Sequence, residues 1–495
     1  MVRHLLSLFI VLLLINGETF SQKITVSPDQ IDNNGLDYAK VIGQDDEGVF
    51  VLMSNLSLEN FRERFGLKSR KYELDYYGYD LKLIWKKEIN AAEGATIEHI
   101  SYYNNNIVII SNAYIKTSDE LQLMIDVIDQ KGNITVVQRK VYSAALGKGM
   151  DIRKTRISLS PDKTQLGIST ECSGNDRIDI HYCSINQQFL PAAKQQGSIP
   201  YSQKDAELSD FIISNANDLV FLCYRKQINE EKEKSKLRSF SLQYLKAGTT
   251  SFKEYGFNKT SQLMTEAALV VDRVNHRAIV TGFFADKTSY AGASLLYGTL
   301  DLQQPTELRV SAGKLNNDAR MKLVGQRNSG GGVSLYNYPI QRVIPRSDGG
   351  AVVIAEAAYL SEYSFYDYFT QTFNRRIEFH YDNVLAISVN ADGSIDWGQL
   401  IQKEQTSMDD EGIYSSFNSV LSPEALSVIF NNDIGRNNEI VSHSINAQGL
   451  LTIKKFSRSG DSISILPRSG KQVDENTMIV PAVTKKRLFL VKLEM

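Results

Sequence analysis

Groups that could ligate a metal or move protons at neutral pH are few and scattered along the chain. Beyond position 4 the histidines are His99, His181, His276, His380 and His443, and no two share the short spacing with which ligating histidines sit on one element. Structural or surface roles are expected for all five. Ser329, in Asn328-Ser-Gly-Gly-Gly332, lacks the nucleophile-elbow pattern and its strand-to-helix context, so it reads as a glycine loop. Asp45-Asp46-Glu47-Gly48 and Asp409-Asp410-Glu411-Gly412 are acidic turns without the alternating oxygens and distal Glu of a calcium loop. Cys172 and Cys183 flank the turn Ser173-Gly174-Asn175-Asp176, which would set Cys172 opposite about residue 178, out of register with Cys183. With Cys223 they are expected to be small buried hydrophobes without a disulfide. No catalytic residue, metal or cofactor is expected from this inventory.

The chemistry that does stand out is recognition. Between Tyr359 and Asp382 the chain reads YLSEYSFYDYFTQTFNRRIEFHYD, with nine Phe or Tyr in 24 positions and Arg375 and Arg376 among them. Aromatic rings and arginine are the side chains enriched in protein interfaces. Tyr359, Tyr363, Phe365, Tyr366, Tyr368, Phe369, Phe373, Arg375 and Arg376 are therefore the candidate binding residues. Three readings stay open: the stretch folds down as a lid, presents anchors to a protein, or stacks on a sugar.

The elements that would hold this stretch are strands. From Tyr338 to Gln402 the sequence reads as a four-stranded antiparallel unit, strands A to D. Arg346-Ser-Asp-Gly-Gly350 turns A into B, the aromatic stretch loops from B to C, and Asn390-Ala-Asp-Gly393 turns C into D. Similar A–B hairpins begin at Asp37, Ala95, Thr155, Leu208, Ala267, Ser415 and Ser462, giving eight units. The C–D hairpin recurs at Tyr72 to Gly78, Ile125 to Asn133 and Ile440 to Gly449, and both tryptophans, Trp85 and Trp397, follow such turns, where a large ring could wedge between sheets. B strands such as Val49 to Met53 and Val352 to Ala355 are apolar without alternation, so both faces must be covered.

Repeated four-stranded sheets covered on both faces describe an all-β fold, a β-propeller of eight blades, with seven as the alternative if the third or the last unit is miscounted. The last unit lacks a D strand, which Lys23 to Ser27 can supply, closing the ring. In such a ring the A–B and C–D turns share one face. The insertions, Asn55 to Lys71, Lys226 to Arg238, Ala285 to Gly292, Tyr359 to Asp382 and Ser311 to Tyr336, share the other, which makes that face the candidate site.

At Asn390-Ala-Asp-Gly393-Ser-Ile-Asp-Trp397 and Asp75-Tyr-Tyr-Gly78…Trp85 the chain resembles the blade motif of pyrroloquinoline-quinone-type propellers, and it is similar to secreted repeat propellers of Gram-negative bacteria. The resemblance implies fold. The adjacent cysteine pair and the calcium-site acids of the quinone dehydrogenases have no counterpart in the chain, so it implies no quinone.

Arg3 and His4, the apolar run Leu5 to Ile15 and the small residues of Thr19-Phe20-Ser21 read as a signal peptide, 1–21, cut before Gln22, with 22–495 as one propeller domain. The apolar run is too short to cross a bilayer as a helix, and no later run is long enough. A net charge of −2 gives no case for nucleic acid. With the chain ending just after the last strand, the periplasm is expected over surface export. The expected function is a non-catalytic periplasmic or secreted binding platform for a protein partner in the cell envelope, such as an outer-membrane or secretion assembly. The alternative is a glycan-binding or glycan-cleaving enzyme with acids at the central channel.

Overall fold

The computed structural model describes residues 22–31, 36–55, 71–202, 204–226, 238–257, 263–285, 294–315, 335, 337–367, 369, 371–434, 438–456, 463–484 and 487–495. The leader, most of the insertions between Asn55 and Tyr336, and the glycine loop around Ser329 lie outside these residues.

Eight antiparallel blades follow one another along the chain, spanning 38–90, 95–145, 151–199, 206–256, 263–314, 340–408, 418–456 and 464–494. Both questioned units, the third and the last, are blades. In the last, strand A is interrupted by a 3-10 turn at Pro467–Ser469, so only Ser464–Ile465 and Lys471–Asp474 pair with strand B. Its outer strand is Lys23–Val26, which pairs with Arg487–Glu494 from Lys23 opposite Glu494 to Val26 opposite Val491. Backbone bonds from Ser27 to Leu490 and from Ile31 to Leu488, both 2.8 Å, carry the junction further.

The unalternating B strands follow from how the core is divided. Each contact between neighbouring blades has its own apolar layer. Successive side chains of a strand point to opposite faces, so one B strand feeds two layers. Val49, Val51 and Met53 pack against Ile479 and Leu488 of blade 8, whereas Phe50 packs against Ile97 and Ile107 of blade 2. Every residue of such a strand is apolar because each face is interior.

Polar ties stitch the layers at both radii. Near the axis, A strands are laced to their neighbours: Arg156 donates to the Ser209 carbonyl at 2.9 Å, Asp210 accepts the Leu269 amide at 2.7 Å, and Gln44 reaches the Val473 carbonyl at 2.7 Å across the closure. At the rim, Trp85 donates to the Gln130 carbonyl at 2.9 Å and Trp397 to that of Ala447 at 3.1 Å, each ring lying over the C–D turn of the next blade. Glycine is required beneath both rings. A Cβ on Gly132 would come within 3.1 Å of Trp85, and one on Gly449 within 2.7 Å of Trp397. The three cysteines are buried and free, with Cys172 opposite Asp179 and Cys183 opposite Ile168.

Candidate functional site

The stretch from Tyr359 to Asp382 is not a loop. Strand B of blade 6 runs Ala351–Asp367 and strand C runs Thr372–Val389, paired nearly throughout with one bulge between Glu356 and Ala358. The aromatic segment is thus a two-stranded arm that continues the blade, about 30 Å long at 3.3 Å per residue. Side chains with high β-propensity set opposite one another, such as Tyr366 and Phe373 or Leu360 and Phe379, stabilise a ribbon better than a disordered connection.

Alternation sorts the candidate residues onto two faces. One face carries Tyr359, Tyr363, Phe365 and Arg376. The Tyr359 ring is stacked on His380 with centroids 4.5 Å apart, and the Arg376 guanidinium lies 5.0 Å from the centre of the Phe365 ring. Met408, from a short third strand Thr406–Met408 along the arm's base, joins this face, its sulfur 3.0 Å from Arg376. The opposite face carries Tyr366, Phe373 and Arg375, with Tyr366 and Phe373 edge to face at 5.1 Å and Arg375 paired with Glu362. Phe369, at the turn, is fully exposed, and Phe373 is 78% exposed. Tyr368 lies outside the described residues.

The root of the arm is held by a buried polar cluster that the sequence reading missed. Glu356, at the base of strand B, pairs with Lys403 at 2.8 Å, and both are buried. Lys403 also donates to the Tyr381 carbonyl at the base of strand C, 2.6 Å, and to Gln405 at 2.8 Å, while the Ser416 hydroxyl donates to Glu356 at 2.5 Å. One lysine therefore grips both strands of the arm. Burial works against both charges, pushing the Glu356 carboxyl up and the Lys403 ammonium down, with their mutual attraction opposing it. Gln405 reaches the Asn431 carbonyl, and Asn431 reaches Ile465, so the cluster runs through blade 7 to blade 8. Further out, Asp409 accepts the Ile377 amide at 3.0 Å, fixing the third strand to the arm.

The remaining groups singled out in the sequence serve the scaffold. Asp45 caps its turn by accepting the amides of Glu47 and Gly48, each at 2.9 Å, and Asp410 does so for Gly412 at 2.9 Å. His99 reaches the Thr155 carbonyl between A strands, His181 the Tyr142 hydroxyl between blades, and His443 packs on Phe430. His276 stands in an A–B turn. Among the described residues no three His, Cys, Asp or Glu side chains gather where they could hold a metal, and no helix is long and apolar enough to cross a membrane.

No family model matches the chain, and no curated protein sequence does. Among solved structures it is similar to the β-propeller domain of Nup133 from Vanderwaltozyma polyspora, at 11% identity and TM-score 0.43, covering 97% of this chain and 99% of that one. It is also similar to the WD40 domain of SCAP from fission yeast, at 9% and 0.41, covering 96% and 98%, and to the polysaccharide lyase Uly1, at 11% and 0.40, covering 92% and 90%.

Proposed function

We propose that the protein is a non-catalytic, exported β-propeller whose arm docks a protein partner in the cell envelope. The observation that carries this reading is the distal half of the arm, where Phe369 and Phe373 stand largely in solvent on a paired ribbon with the partly exposed Tyr366 beside them. Exposing rings such as Phe369 and Phe373 forgoes roughly 1.5 to 3 kcal/mol each that full burial would return, and a paired ribbon presents them with less ordering left to lose on binding than an unpaired loop would. Cleavage before Gln22 would deliver the propeller to the periplasm, where an outer-membrane or secretion assembly is the class of partner that fits. In the variant Tyr366→Ser, Phe369→Ser, Phe373→Ser, thermal melting should match the parent, because these rings contribute little to the core. Recovery of envelope proteins on affinity purification of the exported chain should drop to background. Unchanged recovery would reject the arm as the docking element, and early melting would return the aromatics to a folding role.

A further inference from the structure

A second feature lies on the opposite face of the ring, among the turns. Between blades 4 and 5 the two longest C–D turns among the described blades, 246–252 and 302–307, stand apart and leave a groove of about 680 Å³. That is within the range of clefts that enclose small ligands and short peptides. Strand D of blade 4 is only Lys253–Gly256, so the turn before it reaches the strand late and opens the space.

The one carboxylate that lines the groove, and the one just behind it, are held by their own turns. Asp218 accepts the Ser214 hydroxyl at 3.0 Å and the Ala247 amide at 2.8 Å. Asp301, behind the second turn, accepts the amides of Gln303 and Gln304 at 2.7 and 3.1 Å. Two cationic or protonatable groups remain over: Lys246 and His276 both line the groove, are exposed, and have no ion pair among the described residues. Asn215 accepts the Asp162 amide through its side-chain oxygen, which leaves its NH₂ to donate, and the Gln303 and Gln304 carboxamides line the wall beside it. The apolar lining is proline, alanine and leucine. The one aromatic ring that is not a histidine, Tyr244, is buried.

We propose that this groove binds a short acidic peptide segment, with its carboxylate on Lys246 beside His276 and its backbone amides paired by the carboxamides of Asn215, Gln303 and Gln304. Charge selects the acid, since the exposed cation of the lining is Lys246, whereas its one carboxylate, Asp218, is buried and turned onto the Ser214 hydroxyl and the Ala247 amide. The carboxamides offer both donor and acceptor, which is what a peptide unit needs. An acidic sugar would be expected to stack on an exposed tyrosine or tryptophan face, and the lining's only such ring, Tyr244, is buried. The site is independent of the arm.

The test uses the full-length purified chain and two pools of fluorescein-labelled, C-terminally amidated hexapeptides. One pool has a central Asp or Glu among random Ala, Leu, Pro, Val and Ser; the other has Asn or Gln at the same place. By fluorescence anisotropy the acidic pool should bind about tenfold more tightly than its amide counterpart, the scale of one charge-assisted hydrogen bond. Lys246→Met, an exposed change that should leave melting unaltered, should abolish that difference. The arm variant with three serines should bind both pools as the parent does, so failure of one site is distinguishable from failure of the other. Equal binding of the pools, binding of neither, or discrimination that survives Lys246→Met would overturn the proposal. So would displacement of the acidic pool by trigalacturonate at lower concentration than by unlabelled peptide.

Discussion

His181 lies on strand C of blade 3 with its Nδ1 3.1 Å from the Tyr142 hydroxyl of blade 2, and the residue is fully buried. Burial holds its pKa below the ordinary value, with the Asp179 carboxylate opposing that effect more weakly, and burial depresses His443 in the same direction. The folded imidazole therefore stays neutral while the unfolded chain takes up a proton below about pH 6.5. Stability contributed this way is complete above that pH and is lost as pH falls toward the folded value, at up to about 1.4 kcal/mol per pH unit for each histidine. Half-buried Asp210 and buried Glu356, whose carboxyls desolvation raises, pull the other way, so the informative quantity is a difference between two proteins. His181→Asn should be less stable than the parent at pH 7, and urea unfolding from pH 7 to pH 5 should show a shallower decline; parallel declines would mean that the ring titrates in both states. At this scale the sequence spoke through exclusion. Turn register alone was enough to set Cys172 and Cys183 out of line with each other, and the structure pairs them with Asp179 and Ile168. Trp85 and Trp397 were legible as wedges because each follows a Gly turn, whereas the glycine each ring covers lies one blade further on, some 50 residues away, where no local pattern points to it.

The arm shows how an element can be misjudged from composition when its ends are judged well. Both turns of blade 6 and the inner halves of its strands fall where the sequence puts them. The segment from Tyr359 to Asp382, though, was expected as a loop. The pairs that keep it extended, such as Tyr363 opposite Arg376 and Ser364 opposite Arg375, mix polar and aromatic residues and show no buried face. Nor could Lys403 and Glu356 be paired in advance, since they are distant in the chain and meet only because a crossing returns beneath the arm. Removing one member of a buried ion pair strands the other, at a cost of about 3 to 5 kcal/mol, whereas replacing both with apolar residues is often neutral. Lys403→Met should accordingly lower the unfolding free energy by that amount, and Lys403→Met with Glu356→Leu should regain most of it. If the double variant is no more stable than the single one, the cluster's other hydrogen bonds, to Tyr381, Gln405 and Ser416, dominate. The recurrent bulge in strand A, between Val41 and Gly43, Ile97 and His99, Ile152 and Lys154, and at corresponding points of blades 4 to 6, had no sequence signal, because a bulge adds a residue without demanding a particular one.

At the scale of the whole ring, eight blades could be counted from the sequence because each must solve the same problem, covering two faces of one sheet, and so repeats the same hairpins. Closure was legible too, since the last unit is one strand short and an unassigned strand lies near the other end. Neither the groove between blades 4 and 5 nor the root of the arm could be read this way, because both are built from segments distant in the chain that meet only once the strands and blades have packed. Deleting Lys23–Val26 removes four cross-strand pairs and uncovers the edge of strand Arg487–Glu494. The melting temperature should fall by several degrees and the protein should become prone to associate edge to edge; a deletion variant that melts with the parent would place the closing contacts elsewhere. The same junction orders events in time. Lys23–Val26 is the first described strand to leave the ribosome and its partner, Arg487–Glu494, is the last described one, so the earliest strand has nothing to pair with until the whole ring between them has been made. At about 5 to 20 residues per second that wait lasts from roughly half a minute to a minute and a half, a long exposure for an unpaired β-strand and a reason for a nascent chain of this kind to depend on holding chaperones until its final strand emerges.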